Sequence, residues 1–543
     1  MFLPGAIATV YNCRAASEPA AVLNHSYPIC NGLLSIHQRT AQTARACNKL
    51  HTRVRFFRLC GATVFLNLVI FVDGISVQGV ESERADAGQQ QQHPVLVVVG
   101  GGAAGIFGAL QAKTVFPQMQ VIVLEKGKLL SKVRISGGGR CNVTTGLFVE
   151  PLALAEQYPR GHKELRGSFF RSHGPRDTVT WFLERGVVLK TEEDGRMFPV
   201  TDSSTTIVDC LMNEAHRLGV VLQTRASVSS ISINENGKFA LHLAATSGAS
   251  NEVAADYVLL ATGSSQQGYG LAVQLGHSIV EPQPSLFTFK VKDTVLTELA
   301  GISLSHIQAE LELPGQKCRD PHLLQTGPLL ITHWGLSGPL ILRLSAWAAR
   351  YLHSSNYQGT LWVDFAPSMD VNEVFETLVN HKISFPIRQL GGPAPGKFSF
   401  VRRFWHYLLQ RENLDKMALW ATVPKKSLWQ LATLLKRCAF LVSGKGEFKD
   451  EFVTAGGVPL AEVDLKTMES KLCPHLFFAG EVLNIDGITG GFNFQNAWTG
   501  GYISGMAIAS LASKTFEVKL PSSAQIFLFC SISQPSSGMK WSL

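Results

Sequence analysis

Val95-Leu96-Val97-Val98-Val99 runs directly into Gly100-Gly101-Gly102-Ala103-Ala104-Gly105, and no other feature of the chain narrows its fold so much. Five consecutive apolar, mostly β-branched residues read as a strand buried on both faces, as in a parallel sheet. Gly100, Gly102 and Gly105 fit G-x-G-x-x-G, and the Ala-rich stretch Ile106 to Lys113 is helical in character. Val121-Ile122-Val123-Leu124 reads as a second strand, closed by Glu125 twenty residues past Gly105. Strand, glycines, helix, second strand and acid in this register specify a dinucleotide-binding unit.

Each part has a physical task. Gly100 allows the tight turn off the strand, Gly102 lets the backbone approach a pyrophosphate, and Gly105 lets helix and sheet pack closely. Ala103 and Ala104 open the helix, whose free N–H groups and positive dipole end suit phosphate. Glu125, followed by Lys126, is placed to accept hydrogen bonds from an adenosine ribose. It favours an unphosphorylated ribose, as in FAD or NAD, over NADP, and the fingerprint does not choose between those two.

The chain has 543 residues, 45% hydrophobic and 17% charged, an ordinary globular composition with room for two or three domains. Of the net charge of +8, residues 1–92 carry eight basic and five acidic groups. The remainder has 41 basic against 36 acidic, too mild a balance to predict a nucleic-acid partner. None of the ten cysteines (Cys13, Cys30, Cys47, Cys60, Cys141, Cys210, Cys318, Cys438, Cys473 and Cys530) falls in a C-x-x-C pair, so neither a redox dithiol nor a metal centre is expected. Met1 to Arg58 holds seven basic residues and one acid, the composition of an organellar transit peptide, which predicts a chloroplast or, alternatively, a mitochondrial address. The apolar run Leu59 to Val72 rises only about 21 Å as a helix, too short for a stable membrane span. Glu81 to Gln92 reads as a polar, Gln-rich linker.

A longer signature follows the acidic strand end: Lys132-Val133-Arg134-Ile135-Ser136-Gly137-Gly138-Gly139-Arg140-Cys141-Asn142-Val143-Thr144. Thr332 to Pro339, Thr454 to Val458, Thr467 to Lys471, Ala479 to Leu483 and Asp486 to Trp498 complete a set in fixed order. Taken together, Val95 to Ala512 resembles the BaiN-like family of FAD-binding enzymes, also labelled the aminoacetone-oxidase family. The resemblance implies FAD as prosthetic group. It also implies an α/β fold: a two-dinucleotide-binding-type Rossmann FAD domain with an inserted β-barrel and a small α-helical insert. The expected division is a transit peptide and linker over 1–92, FAD-binding domain over 93–283 and 454–515, barrel over 284–366 with a return strand at 439–453, helical insert over 367–438, and a tail over 516–543.

Within that frame the cofactor contacts expected beyond the fingerprint are Lys132, Ser136, Gly137, Gly138, Gly139, Arg140, Cys141 and Asn142, read as a mobile segment of backbone donors. Val228 lies on a strand resembling the adenine-flanking strand of such proteins. Ala261-Thr262-Gly263 ends the strand Tyr257 to Ala261 near the cofactor, and Gly480-Glu481 follows Leu476 to Ala479 toward the ribitol chain. Asp486, Gly490, Gly491, Phe492 and Asn493 precede or open a helix expected from about Asn493 to Ala509. Its N-terminus is suited to negative charge on the reduced pyrimidine ring. Strands are expected at Val228 to Ile233, Phe239 to Ala245, Leu286 to Val291, Ile307 to Leu313, Leu329 to Thr332, Thr360 to Phe365 and Phe440 to Phe452. An Asn236-Gly237 hairpin turn joins the first two, and helices are expected from Met369 to Arg437.

His333, in a motif with Gly335, Ser337 and Gly338, is the first candidate for moving a proton, with a hydrogen-bonded structural role as the alternative. Cys141 beside Arg140 invites a depressed pKa, against packing or cofactor contact as the plainer role. Arg196 is placed to meet a substrate carboxylate or merely Asp194, and Asn493 and Asn496 are substrate donors or helix caps. No second G-x-G-x-x-G unit exists, so NAD(P)H has no domain of its own and serves, if at all, as a transient donor directly over the flavin. Three function classes compete: an FAD-dependent oxidoreductase of a small molecule by hydride transfer at flavin N5, a redox sensor or scaffold without turnover, and a flavin-dependent RNA-modifying enzyme.

Overall fold

The computed structural model describes residues 93–244, 252–315, 320–446 and 453–518. The expected transit peptide and linker, the last residues of the expected return strand, and the tail beyond Val518 lie outside the described residues.

The apolar run Val95–Val99 lies in a seven-stranded sheet, as the middle one of its five parallel strands. In spatial order the strands are Val463–Asp464, Glu469–Ser470, Leu476–Phe478, Tyr257–Leu260, Val95–Val99, Gln120–Glu125 and Val221–Thr224. The last five are mutually parallel, with Val97 beside Val258 on one side and Ile122 on the other. Parallel strands need crossovers, and the first is the helix Ala103–Val115. The helix Phe492–Val518 lies against it at unusually close range. A Cβ on Gly501 would stand 2.6 Å from the Ala104 carbonyl oxygen, and one on Gly505 2.5 Å from that of Gly108. This helix runs past 515, where the tail was expected to begin, because Phe516 is buried and packs edge-on to Phe116.

An antiparallel meander, Val228–Ile233, Phe239–Leu243 and Glu252–Ala255, adds to this half. Asn234 organises its first turn, its side-chain oxygen accepting from the Asn236 and Lys238 amides, while Gly237 takes a left-handed φ of +73°. The expected strand Leu286 to Val291 is in fact broken. Val280–Ser285 pairs with Val453–Gly457 as a two-stranded ribbon, and Leu286 turns the chain at φ +56°. Phe289–Val291 then enters a closed six-stranded barrel. The other barrel strands are Gly335–Ser337, Leu324–Thr332, Ser303–Glu312, Gly359–Asp364 and Cys438–Lys445, in spatial order.

The middle is not uniformly strand-rich. Pro339–Ser354 is a sixteen-residue helix within it. Its buried residues Leu340, Ile341, Leu344, Ala348 and Leu352 recur at helical spacing, and Pro339 sits where a helix tolerates proline best. Between the barrel strands Gly359–Asp364 and Cys438–Lys445 stand the helices Val371–Ser384, Arg402–Arg411 and Lys425–Lys436. One apolar core, with Phe289, Leu361, Trp405 and Leu431 among its members, is shared by barrel and helices. Among the described residues no helix is long and apolar enough to cross a membrane.

Candidate active site

A cleft of about 860 Å³ opens at the carboxyl ends of the central strands, within the size range of ligand sites. Its floor is the turn Gly100 to Ala104. Gly100 has φ +110°, and a Cβ there would meet the Ala261 carbonyl oxygen at 2.4 Å. A Cβ on Gly105 would stand 2.0 Å from the Gly100 oxygen, which ties the helix to the turn. Gly102 faces space with nothing within 4 Å of a built Cβ. It starts the helix Ala103–Val115 with no side chain satisfying the terminal amides. Glu125 is held rather than loose: one carboxylate oxygen accepts from the Gly101 amide at 2.8 Å, the other from Gly127 at 2.7 Å. Each oxygen keeps a further lone pair for a hydroxyl.

The opposite lip comes from three other segments. Ala226 to Val228, Ala261 to Gly268 (less Gln266) and Ala479 to Glu481 all line the cleft. Two lysines reach across to it, Lys126 to the Ser265 hydroxyl at 3.3 Å and Lys132 to Glu481 at 3.1 Å. Lys132 is half exposed, so this pair adds little stability and can reorganise around a ligand.

Beyond the floor, Lys132 to Gly138 approach the cleft as a helix broken by geometry, not as a mobile loop. Ser136 is extended, and Gly137 and Gly138 take φ of +57° and +71°. Facing them are Thr489, Gly490, Gly491, Asn493 and Phe494, then Arg196 and Phe198, and on the barrel side Thr288, Ser337, Leu342 and Gly446. Thr288 donates to the Ser337 hydroxyl at 2.9 Å, which leaves the Ser337 hydrogen free to point elsewhere.

Ala103, Ala104, Glu125, Lys126, Lys132, Ser136, Gly137, Gly138, Asn142, Val228, Ala261, Thr262, Gly263, Gly480, Glu481, Gly490, Gly491 and Asn493 thus come together with Gly100 and Gly102 of the fingerprint. Six expected cofactor residues do not line the cleft, Gly105 among them because it packs beneath the turn, nor does the proposed catalytic histidine. Gly139 lies just past the lining. Arg140 turns away to Glu192 at 2.6 Å and stacks on Phe198. Cys141 is fully buried, and that burial pushes its thiol up to about 12, outweighing the lowering by its hydrogen bond with Ser136. Asp486 is fully buried in a two-point pair with Arg160, with Ser285 donating at 2.8 Å. Burial pushes its carboxyl up while Arg160 pulls it down. Phe492 packs into the core against Tyr158. His333 is exposed at the turn between Leu324–Thr332 and Gly335–Ser337.

Asn493 is a clamp, donating to the Gly487 carbonyl and accepting from the Gly487 amide. Asn496 is buried with both side-chain polar atoms unpartnered among the described residues. Arg196 lines the cleft but is shared with Asp194 at 2.7 Å and Glu192 at 3.0 Å. The His333 motif does reach the cleft, through Ser337 and not through the histidine, whereas Thr288, Leu342 and Gly446 of the same barrel wall were missed, because no local pattern says which barrel residues face a neighbouring sheet.

The family model described as the HI0933-like protein Rossmann domain matches residues 94–507. The chain belongs to the HI0933-like family. Its relatives include the 3-dehydro-bile acid delta(4,6)-reductase of Clostridium scindens, 28% identical over 76% of this chain and 98% of that one. A ribosomal RNA dihydrouridine synthase of Haemophilus influenzae is 29% identical over 77% and 99%. The solved 3-ketosteroid-delta4-(5alpha)-dehydrogenase of Rhodococcus jostii RHA1 is similar at 15% identity and a TM-score of 0.41, over 78% of this chain and 99% of that one, too slight a likeness to carry an argument. As a member of the HI0933-like family the chain is an FAD-dependent oxidoreductase. Its cleft fits that cofactor, with an open Gly102, uncapped helix amides and an anchored Glu125 at one end of a continuous space.

Proposed function

We propose that this chain reduces a carbon–carbon double bond conjugated to a carbonyl group. The observation that carries the reading is that one cleft joins the dinucleotide turn to a barrel wall bearing the Thr288–Ser337 hydroxyl pair. The reactions named for the two curated relatives support it, since a delta(4,6)-reductase and a dihydrouridine synthase both add hydrogen to such a bond.

In this reading the free amides of Gly102 to Ala104 would hold the pyrophosphate and Glu125, anchored by the Gly101 amide, the adenosine ribose. Gly480-Glu481 take the ribitol chain. The start of the helix Phe492–Val518 faces the pyrimidine edge, where its positive dipole end favours negative charge. FAD, when bound and reduced, supplies hydride at N5. Arg196 and the free Ser337 hydrogen are the polar groups that meet the substrate carbonyl, drawing electron density from the double bond so that its far carbon accepts hydride. The proton for the near carbon comes from the Ser337 hydroxyl or from water. NAD(P)H, bound transiently over the flavin, is the proposed electron donor.

The test is anaerobic. The protein is reduced with NADH, NADPH or dithionite and mixed with a 3-oxo-4-ene steroid or with uridine-containing RNA. Flavin reoxidation with a product two mass units heavier is expected for one acceptor class. Rapid reoxidation by oxygen with an amine substrate, and none by either acceptor, would point to an oxidase. Flavin that no reductant or acceptor turns over would point to a sensor.

A further inference from the structure

Arg140 closes the run of signature glycines yet does not line the cleft, whereas Arg196 lines it and is flanked by acids. One strand joins them. Arg196–Pro199 pairs with Leu189–Thr191 on one side and with Thr144–Thr145 on the other. The Met197 amide donates to the Asn142 side-chain oxygen at 3.2 Å, and the Val143 amide to the Met197 carbonyl at 2.8 Å. The signature segment is therefore laid along the strand that begins at Arg196. The hairpin tip ahead of that strand is tight. The Glu192 amide donates to the Arg196 carbonyl and the Gly195 amide to the Glu192 carbonyl, both at 2.8 Å. Gly195 turns at φ +81°, with Leu147 packed 2.2 Å from where its Cβ would stand.

This backbone sets out an alternating row of charge. Asp202 lies between Lys190 and Arg140, the latter at 3.6 Å. Glu192 lies between Arg140 and Arg196: one carboxylate oxygen accepts from Arg140 at 2.6 Å, and the other pairs with Arg196 at 3.0 Å. Asp194 accepts from the Arg196 Nε at 2.7 Å and also acts on Arg343 of the barrel helix, whose pKa burial lowers and Asp194 raises. Each acid of the row thus answers two cations. The Arg140, Glu192 and Arg196 side chains are between 28% and 33% exposed, so these pairs add little stability. Stability does not account for a row built around a guanidinium of the cleft wall. Arg196 commits Nε to Asp194 and Nη2 to Glu192, which leaves Nη1 for a ligand.

We propose that Arg140 is a positioning residue that acts through Glu192 on Arg196. By claiming one oxygen of Glu192, it keeps that carboxylate from gripping Arg196 at two points. Nη1 then stays free for the carbonyl oxygen of the bond being reduced. This rests on the reduction reading above, in which Arg196 meets that carbonyl. Without Arg140, Glu192 offers both oxygens to one guanidinium, the two-point geometry such pairs favour. The cleft then loses a donor, and with it part of the pull on electron density toward the carbonyl oxygen. Phe198, a ring of the cleft wall, holds the Arg140 guanidinium over its face at 3.9 Å and so fixes which way Arg140 reaches.

The experiment uses the FAD-loaded full chain and two probes. Phenylglyoxal, which condenses with free guanidinium groups, reports on Arg196 through peptide mapping by mass spectrometry. Cyclohex-2-enone, a small conjugated ketone, reports on the acceptor through anaerobic reoxidation of dithionite-reduced flavin. Arg140→Gln should slow both the modification of Arg196 and the reoxidation by enone about tenfold, the worth of one hydrogen bond to a charged group. Its FAD affinity and flavin spectrum should stay those of wild type. Arg140→Lys keeps a cation on Glu192, and Arg140→Gln/Glu192→Gln removes the competing carboxylate, so both should restore Arg196 reactivity. Equal modification of Arg196 in wild type and Arg140→Gln, no recovery in the double variant, or loss of FAD from Arg140→Gln would overturn the positioning role. Enone that reoxidises neither wild type nor any variant, with the phenylglyoxal ranking intact, would support the hold of Arg140 on Arg196 and remove the reduction reading.

Discussion

At single residues, the contacts separate cleft from scaffold. Gly105→Ala places a methyl 2.0 Å from the Gly100 oxygen, a contact that must shift the turn. Loss of the flavin absorbance band in the purified variant is the expected outcome, and full retention would refute the close-packing role. Asp486 makes the opposite case. It touches no part of the cleft, yet with Arg160 it ties Ser285 in the ribbon to the Ala346 carbonyl of the barrel helix. Asp486→Ala strands a buried guanidinium and should cost about 3–5 kcal/mol in denaturant unfolding. Cys141, its thiol pushed up to about 12, should stay unmodified in the native protein at pH 8 when its peptide is mapped after alkylation. His333→Ala should leave steady-state activity within about twofold of wild type, since an exposed turn residue away from the cleft has nothing to protonate.

At the scale of elements, the pairing of Ala103–Val115 with Phe492–Val518 is the joint that carries both ends of the site. One helix begins at the pyrophosphate turn and the other at Gly490-Gly491, and Gly501 and Gly505 let them touch. The G-x-x-x-G spacing of that pair was readable in the sequence, but its significance depended on which helix lay opposite. Behind the same helix Gln495 accepts from Thr144 and Thr178 and donates to the His173 carbonyl. His173 itself is buried against Tyr502, and burial drives its pKa down to about 4. The unfolded chain therefore binds a proton near pH 6.5 that the folded chain refuses. The stabilisation is complete above pH 6.5 and is lost as pH falls toward 4, by about 3 kcal/mol in all. His173→Gln should flatten the fall in melting temperature across that window. An unchanged pH profile would show that His173 is not the group responsible.

For the whole molecule, the barrel and helices share one core and rejoin the parallel sheet through the two-stranded ribbon, so the cleft is assembled only when all of them are in place. FAD binds that assembly and not the unfolded chain, and at a hundredfold excess over Kd it should stabilise by about 2.7 kcal/mol, read as an upward shift in melting temperature. Much of this was legible beforehand. The run Val95 to Val99, the spacing of Gly100, Gly102 and Gly105, and Glu125 after the second strand determined a dinucleotide-binding α/β unit by themselves, because strand period, a turn that needs a glycine at positive φ, and helix-end amides are local properties. Local pattern did not reveal that Arg140, Cys141 and Phe492 turn away from the cleft while Thr288, Leu342 and Gly446 line it. Those orientations depend on which buried partner each side chain meets across hundreds of residues, as Asp486 meets Arg160, and only the tertiary packing chooses that partner.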